Sequence, residues 1–196
     1  VANEQAVETI NEFRKQIETL HSRQASLKPG LDIFGMDCPD HRELREAQED
    51  LDLMDQIWGI NKEWNDSWDA WKRGLFTSLD VGEMETAAGQ FNKRIAKLGR
   101  KIGKWGVWQS MRSRLSQFLQ TMPLIMDLKN PALRPRHWDE LKKEINQEFD
   151  PLSDEFTLEQ VFNLGLHTAS DFIGELSANA NKELGIETGL QGVRER

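Results

Sequence analysis

The sequence predicts an all-α protein, an elongated bundle of five or six helices whose long members run antiparallel. Three observations predict it. Apolar residues recur at steps of three and four along most of the chain, the spacing of one helix face. No stretch alternates apolar and polar residues as a half-buried strand does. Proline, glycine and capping residues cluster where the periodic segments end.

The first periodic segment covers residues 3–27, with Val7, Ile10, Phe13, Ile17, Leu20 and Leu27 as one apolar stripe. "KPG" at 28–30 is expected to stop it, because proline lacks the donor that continues the ladder and glycine accepts a left-handed turn. "LDIFGMDCPD" (31–40) reads as a loop, and Pro39 suits the first turn of the following helix. The second helix is expected from about residue 40 to 76, with Leu44, Ala47, Leu51, Met54, Ile57, Ile60, Trp64, Trp68, Trp71 and Leu75 on its apolar face. Trp64, Trp68 and Trp71 form an aromatic stripe within that face. Nothing polar converges on the three rings, so they read as core packing rather than as a ligand box.

Asp80 and Glu83 have capping-box spacing, and Met84, Ala88, Phe91, Ile95, Leu98, Ile102 and Trp105 then keep a heptad seam. Gly103 and Gly106 are expected to interrupt the helix. The pattern resumes at Trp108, Met111, Leu115, Phe118 and Met122, with Pro123 marking its end and 123–134 as a connector. Pro135 opens the next helix, whose stripe is Trp138, Leu141, Ile145 and Phe149. "DPLSDE" (150–155) is a turn. Thr157 and Gln160 have capping-box spacing ahead of a short helix that Gly165 ends, and a last helix covers about 168–192 with Ile173, Leu176, Ala180 and Leu184 inward.

Composition narrows the function. Hydrophobic residues make up 38% and charged residues 30%, which suits elongated helical architecture better than a thick core. Seven tryptophans oppose disorder. The single cysteine, Cys38, makes no intrachain disulfide, and a reducing compartment is the default. No apolar run has the length of a membrane span. The chain opens in helical rhythm without an initiator methionine, as expected of a piece of something longer.

The net charge of −8 disfavours nucleic acid as a partner. The charge is uneven: no acidic residue lies between Glu85 and Asp127, where Lys93, Arg94, Lys97, Arg100, Lys101, Lys104, Arg112 and Arg114 fall. Lys93 through Lys104 read either as a solvated helix face or as a docking face for an acidic partner.

Chemistry-bearing motifs are missing. There is no phosphate-binding GxxxxGK[ST] loop, no GxGxxG and no HExxH. His21, His41, His137 and His167 lack ligand spacing, and the two Glu-x-x-His units that a di-metal bundle needs are not present. Cys38 has only His41 nearby, in a proline-broken turn, which is poor support for a nucleophile. Asp139–Glu140 and Asp154–Glu155 sit at helix starts, where the helix dipole explains them. His137 reads as a packing or capping residue. No catalytic, cofactor or metal residues are expected.

Three stretches carry a family resemblance. "MPLIMDLKNPALRPRHWDEL" (122–141) resembles the dynein heavy chain family, whose linker region has a Pro-Leu-Ile, an apolar connector and then Arg-x-Arg-His-Trp. "FTLEQVFNLGLHTASDFIGELSANANKELGIETGL" (156–190) resembles the family's Phe-Thr-Leu start leading to "I…A.KE…IE..L". "LDLMDQIWGINKEWNDSWDAWKRGLF" (51–76) is similar in its Leu-rich approach and spaced tryptophans. The style resembles axonemal chains, and inner-arm ones among them.

The resemblance implies a helical linker that bends and straightens over a ring of AAA+ ATPase modules in the cytoplasm of a cilium or flagellum, at the axoneme. ATP and Mg would be bound elsewhere in the full-length chain. The implied partners are the ring of the same chain, microtubules and dynein intermediate and light chains; no membrane is implied. Residues 1–30 would be the end of the tail or the first linker helix, 31–122 a long-helix bundle, and 123–196 a further helical subdomain. Pro131, Pro135, Arg134, Arg136 and Trp138 would form a stiff joint: the prolines restrict the backbone, Trp138 wedges between helical blocks, and the arginines bond carbonyls of the preceding helix or nearby carboxylates. The alternative is a spectrin-like helical-repeat protein, which would run one shared helix through residues 100–120.

Overall fold

The computed structural model describes the backbone of residues 2–37, 41–151, 153 and 156–194, and the side chains among these except those of 2–4 and 191–194. The readings of Cys38, Pro39 and the Asp154–Glu155 pair fall outside the described residues. Among these, seven α-helices and two 3-10 turns occur and no strand does, so the protein is all-α, with more helices than the five or six expected. The helices are α1 (Ala2–Ile33), α2 (Arg42–Trp71), α3 (Val81–Ile102), α4 (Gly106–Leu128), α5 (Pro135–Ile145), α6 (Leu158–Asn163) and α7 (Ser170–Arg194). They divide between two compact units: Val1–Asn65 with Arg94–Met111, and Asp66–Lys93 with Arg112–Arg196.

In the first unit, α1 and the first half of α2 form a hairpin. Ile10, Ile17 and Leu51 are its buried core, with Leu44 and Trp58 against them. Arg14 pairs with Asp52 at 3.4 Å and Asp55 at 3.5 Å along one edge. Contrary to expectation, α1 does not stop at "KPG" but continues through Pro29 to Ile33. Proline costs one donor, and the turn around it is exposed, so water satisfies the freed carbonyl. The stop comes at Gly35, whose φ of +61° closes a Schellman motif: Met36 N–H donates to Leu31 C=O at 3.0 Å, and Gly35 N–H to Asp32 C=O at 3.2 Å.

The C-terminal part of α3 and the start of α4 complete this unit. Ile95, Leu98 and Ile102 continue the buried heptad seam. Helix α3 ends at Ile102 and α4 begins at Gly106, so the glycine interruption is real. Trp108 folds back and donates its indole N–H to Ile95 C=O at 2.9 Å. Its ring lies over Gly99, where an added Cβ would stand 2.6 Å from Trp108 Cζ2.

In the second unit, α2 ends at Trp71 rather than near residue 76. The reason is tertiary: Glu159 N–H donates to Lys72 C=O, Leu158 N–H to Gly74 C=O and Phe76 N–H to Phe156 C=O, at 2.9–3.1 Å, so the 156–159 segment takes the backbone groups a helix would use. Asp80 caps α3 by accepting from Glu83 N–H at 3.0 Å. Helix α4 runs through Pro123 to Leu128, where an end was expected. Pro123 is exposed, whereas Leu124, Ile125 and Leu128 are buried. Burying one such side chain stabilises by about 1.5–3 kcal/mol, and together they exceed the roughly 3 kcal/mol cost of an interior proline. Thr157 is the N-cap of α6, but its side chain makes no capping bond. Gly165, at φ +64°, ends that helix through a 3-10 turn into α7.

Candidate functional site

The 129–138 connector lies wholly in the second unit, and its backbone is held at each step. After α4, Asn130 and Leu133 close a turn, Leu133 N–H donating to Asn130 C=O at 3.0 Å. Pro131 occupies the turn's second position, where its fixed φ belongs. Asn130 Oδ1 accepts from Ala132 N–H at 3.0 Å. Its Nδ2 donates to Ser177 Oγ at 3.0 Å and to Ser177 C=O at 3.3 Å, tying the turn to α7. Just upstream, Lys129 Nζ donates to Leu79 C=O.

Pro135 is the first residue of α5 and Arg134 its N-cap. His137 provides the cap: Arg134 N–H donates to Nδ1 of His137 at 3.0 Å. The imidazole is 3% exposed, and its Nε2 lies 3.1 Å from Glu183 of α7. Arg136 pairs with that same Glu183, and Arg134 with Glu187 one turn further along α7. Both arginines therefore take carboxylates, not the carbonyls of α4. The Glu183 carboxyl is held below the ordinary range first by the Arg136 hydrogen bond; desolvation opposes this, and the guanidinium charge and His137 add to the lowering. Trp138 is half-buried, edge-on to Phe76 and to Phe149, each at 6.1 Å. Phe149 stacks on Phe156 at 5.3 Å, and Phe76 tilts against it at 5.2 Å, closing an aromatic cluster.

The tryptophan stripe falls in two environments. Trp64 is 4% exposed in the first unit. In the second, Trp68 meets Phe162 edge-on at 5.1 Å and Phe118 at 6.2 Å, and Trp71 stacks on Phe118 at 5.7 Å. Lys93, Arg94, Lys97, Arg100, Lys101 and Lys104 are all exposed. Arg94 is engaged: its guanidinium grips Glu63 through two bonds, 2.5 and 3.0 Å long, and this hydrogen bonding holds the Glu63 carboxyl below its usual range. Lys97 and Arg100 lie on the side of α3 away from the buried Ile95–Leu98–Ile102 seam, and Lys104, in the turn after α3, is exposed as well.

Among the described residues, no group of three or more His, Cys, Asp or Glu side chains is arranged to hold a metal ion. None of the described helices is long and apolar enough to cross a membrane. The arrangement is a pinned corner, and its chemistry is hydrogen bonding and charge pairing.

Residues 44–196 match the family model for dynein heavy chain, N-terminal region 2. The chain belongs to the dynein heavy chain family. Among its relatives, the Dynein-1-beta heavy chain of the flagellar inner arm I1 complex from Chlamydomonas reinhardtii is 44% identical over 188 residues, 96% of this chain. Dynein axonemal heavy chain 2 of Homo sapiens is 41% identical over 190 residues, also 96% of this chain. Human dynein axonemal heavy chain 17 is more distant, at 24% over 185 residues and 94% of the chain. In each case this dynein chain spans 4% of the relative's length.

The break between α3 and α4 at residues 103–105 also removes the shared helix that a spectrin-like array would need through residues 100–120. Four residues of the corner were not singled out in the sequence: Asn130, Ser177, Glu183 and Glu187. Glu183 and Glu187 had a usable signal. They lie one turn apart on α7 and belong to the "KE…IE" stretch of the dynein resemblance.

Proposed function

We propose that this chain is a force-transmitting segment of the linker of an axonemal dynein heavy chain. The linker bends and straightens over the AAA+ ring of its own polypeptide to move microtubules in a cilium or flagellum. In this reading ATP and Mg are bound and consumed in the ring, dynein intermediate and light chains are further partners, and the segment itself catalyses nothing.

The observation that carries the reading is the double attachment of the 129–138 connector to α7: Asn130 to Ser177 at one end, and Arg134, Arg136 and His137 to Glu183 and Glu187 at the other. A lever segment has to resist bending at its joints. A corner held by hydrogen bonds that converge on one helix, with proline-restricted backbone between, has that property. The exposed Lys97 and Arg100 of α3, with Lys104 in the turn after it, suit contact with an acidic surface in the same assembly.

The test uses the complete motor. Arg136→Glu should leave basal ATP turnover within about twofold of the parent and cut microtubule gliding velocity several-fold. Adding Glu183→Arg should recover part of the velocity. Equal loss of turnover and gliding, or undiminished gliding, would contradict a mechanical role for this corner.

A further inference from the structure

We propose that the open face of the α1–α2 hairpin seats an amphipathic helix of the same heavy chain, from the region ahead of N-terminal region 2, completing a three-helix coiled coil. The proposal rests on the family membership and stands apart from the linker reading.

Helix α1 carries a heptad pattern in two rows. Ile10, Ile17 and Gln24 recur every seven residues, as do Phe13, Leu20 and Leu27. The first row faces α2, and its two isoleucines are buried. The second row is 51%, 49% and 63% exposed. On α2 the same division holds: Leu51 is buried against α1, while Met54 and Ala47 are exposed. Arg14 and its partners Asp52 and Asp55 occupy one edge of the hairpin. By helical phase, the two exposed rows lie together on the other edge. In the antiparallel register that those ion pairs set, Phe13 is level with Met54 and Leu20 with Ala47. The result is a two-helix groove with heptad-spaced apolar walls, the docking geometry of a third helix.

The occupant's chemistry follows from the rim. Glu43 and Asp50 flank the groove on α2, one heptad apart, exposed and unpaired among the described residues. A complementary helix carries an apolar heptad seam and basic residues on the edge that faces α2. Its source follows from the family match. That match begins at residue 44, within α2, so α1 lies ahead of N-terminal region 2 although the relatives align across it. A second region implies a first, and the relatives are about 25 times longer than this chain, as 96% coverage of it amounts to 4% of theirs.

The test places a photo-crosslinking residue at position 20, and separately at 27, in the full-length heavy chain, with position 15 on the outer face as control. Mass spectrometry of the adducts should find a heptad-patterned peptide of the same chain from before residue 1, and none from position 15. Adducts to another polypeptide, to a second copy distinguished by isotope mixing, or to no protein would overturn the proposal. Leu20→Glu gives the second readout. It should leave the melting temperature of the 196-residue chain unchanged and speed hydrogen exchange of α1 at least tenfold in the full-length chain. Unchanged exchange there, or a lower melting temperature in the short chain, would also overturn it.

Discussion

Arg134 donates its backbone N–H to Nδ1 of His137, 3.0 Å away. A ring nitrogen that accepts carries no proton, so the neutral imidazole has its proton on Nε2 and donates it to Glu183, 3.1 Å away. One buried ring thus caps α5 and ties it to α7. His137→Ala leaves the Arg134 N–H without its partner and opens a cavity. Expected loss is about 2–3 kcal/mol, read as a lower urea midpoint. A change under about 0.5 kcal/mol would mean the corner does not depend on this ring.

Trp138 stands edge-on to Phe76 and Phe149, 6.1 Å from each. Trp138→Ala removes both contacts and should lower stability by about 2 kcal/mol, with a lower melting temperature. Trp138→Phe should retain part of that. Equal stability of all three proteins would remove the tryptophan from any stiffening role.

Gly99 is where the α3–α4 reversal is tightest. Alanine would improve helix propensity by about 1 kcal/mol. Its Cβ, however, would stand 2.6 Å from a ring that is itself held to Ile95. Overpacking against a pinned group costs about 1–3 kcal/mol, so Gly99→Ala should be net destabilising in thermal melts. In a Trp108→Leu background the same change should become neutral or stabilising. A stabilising effect in the parent would show that the ring can yield.

Glu183 and Glu63 respond to acid in a defined direction. The hydrogen bonds from Arg136 and Arg94 lower each carboxyl below its ordinary value. Such groups stabilise the fold fully above the unfolded glutamate pKa, about 4.3, and lose that effect as pH falls through the lower folded value. Glu183→Gln and Glu63→Gln should therefore be less stable than the parent at pH 7, with the difference shrinking below about pH 4. Both carboxylates are substantially exposed, so the differences should also shrink in high salt. A difference independent of pH would trace the effect to packing.

The sequence by itself determined where most helices lie and, along α3 and α4, their buried faces; on α2 and α7 it was less exact, since Ala47, Met54 and Leu184, read as inward, are exposed. The seam from Met84 is buried at each position through Ile102, its last member Trp105 is only half-buried in the break after α3, and Trp108, Met111, Leu115, Phe118 and Met122 are inside. The periods of three and four are local, set by backbone geometry that any segment carries with it. Caps at Asp80 and Pro135 were legible for the same reason. Only the tertiary structure decided where a helix continues past a proline. Pro123 is overridden by the buried Leu124, Ile125 and Leu128, and Pro29 sits in an exposed turn before Gly35. It also decided which half of the α1 stripe is covered, because Ile10 and Phe13 differ in nothing but the direction from which α2 arrives. The corner's ion pairs join Arg134 to Glu187 and Arg136 to Glu183. Those charges were visible in the sequence, but pairing across about fifty residues depends on how the chain returns, and no local rule of propensity or spacing encodes it.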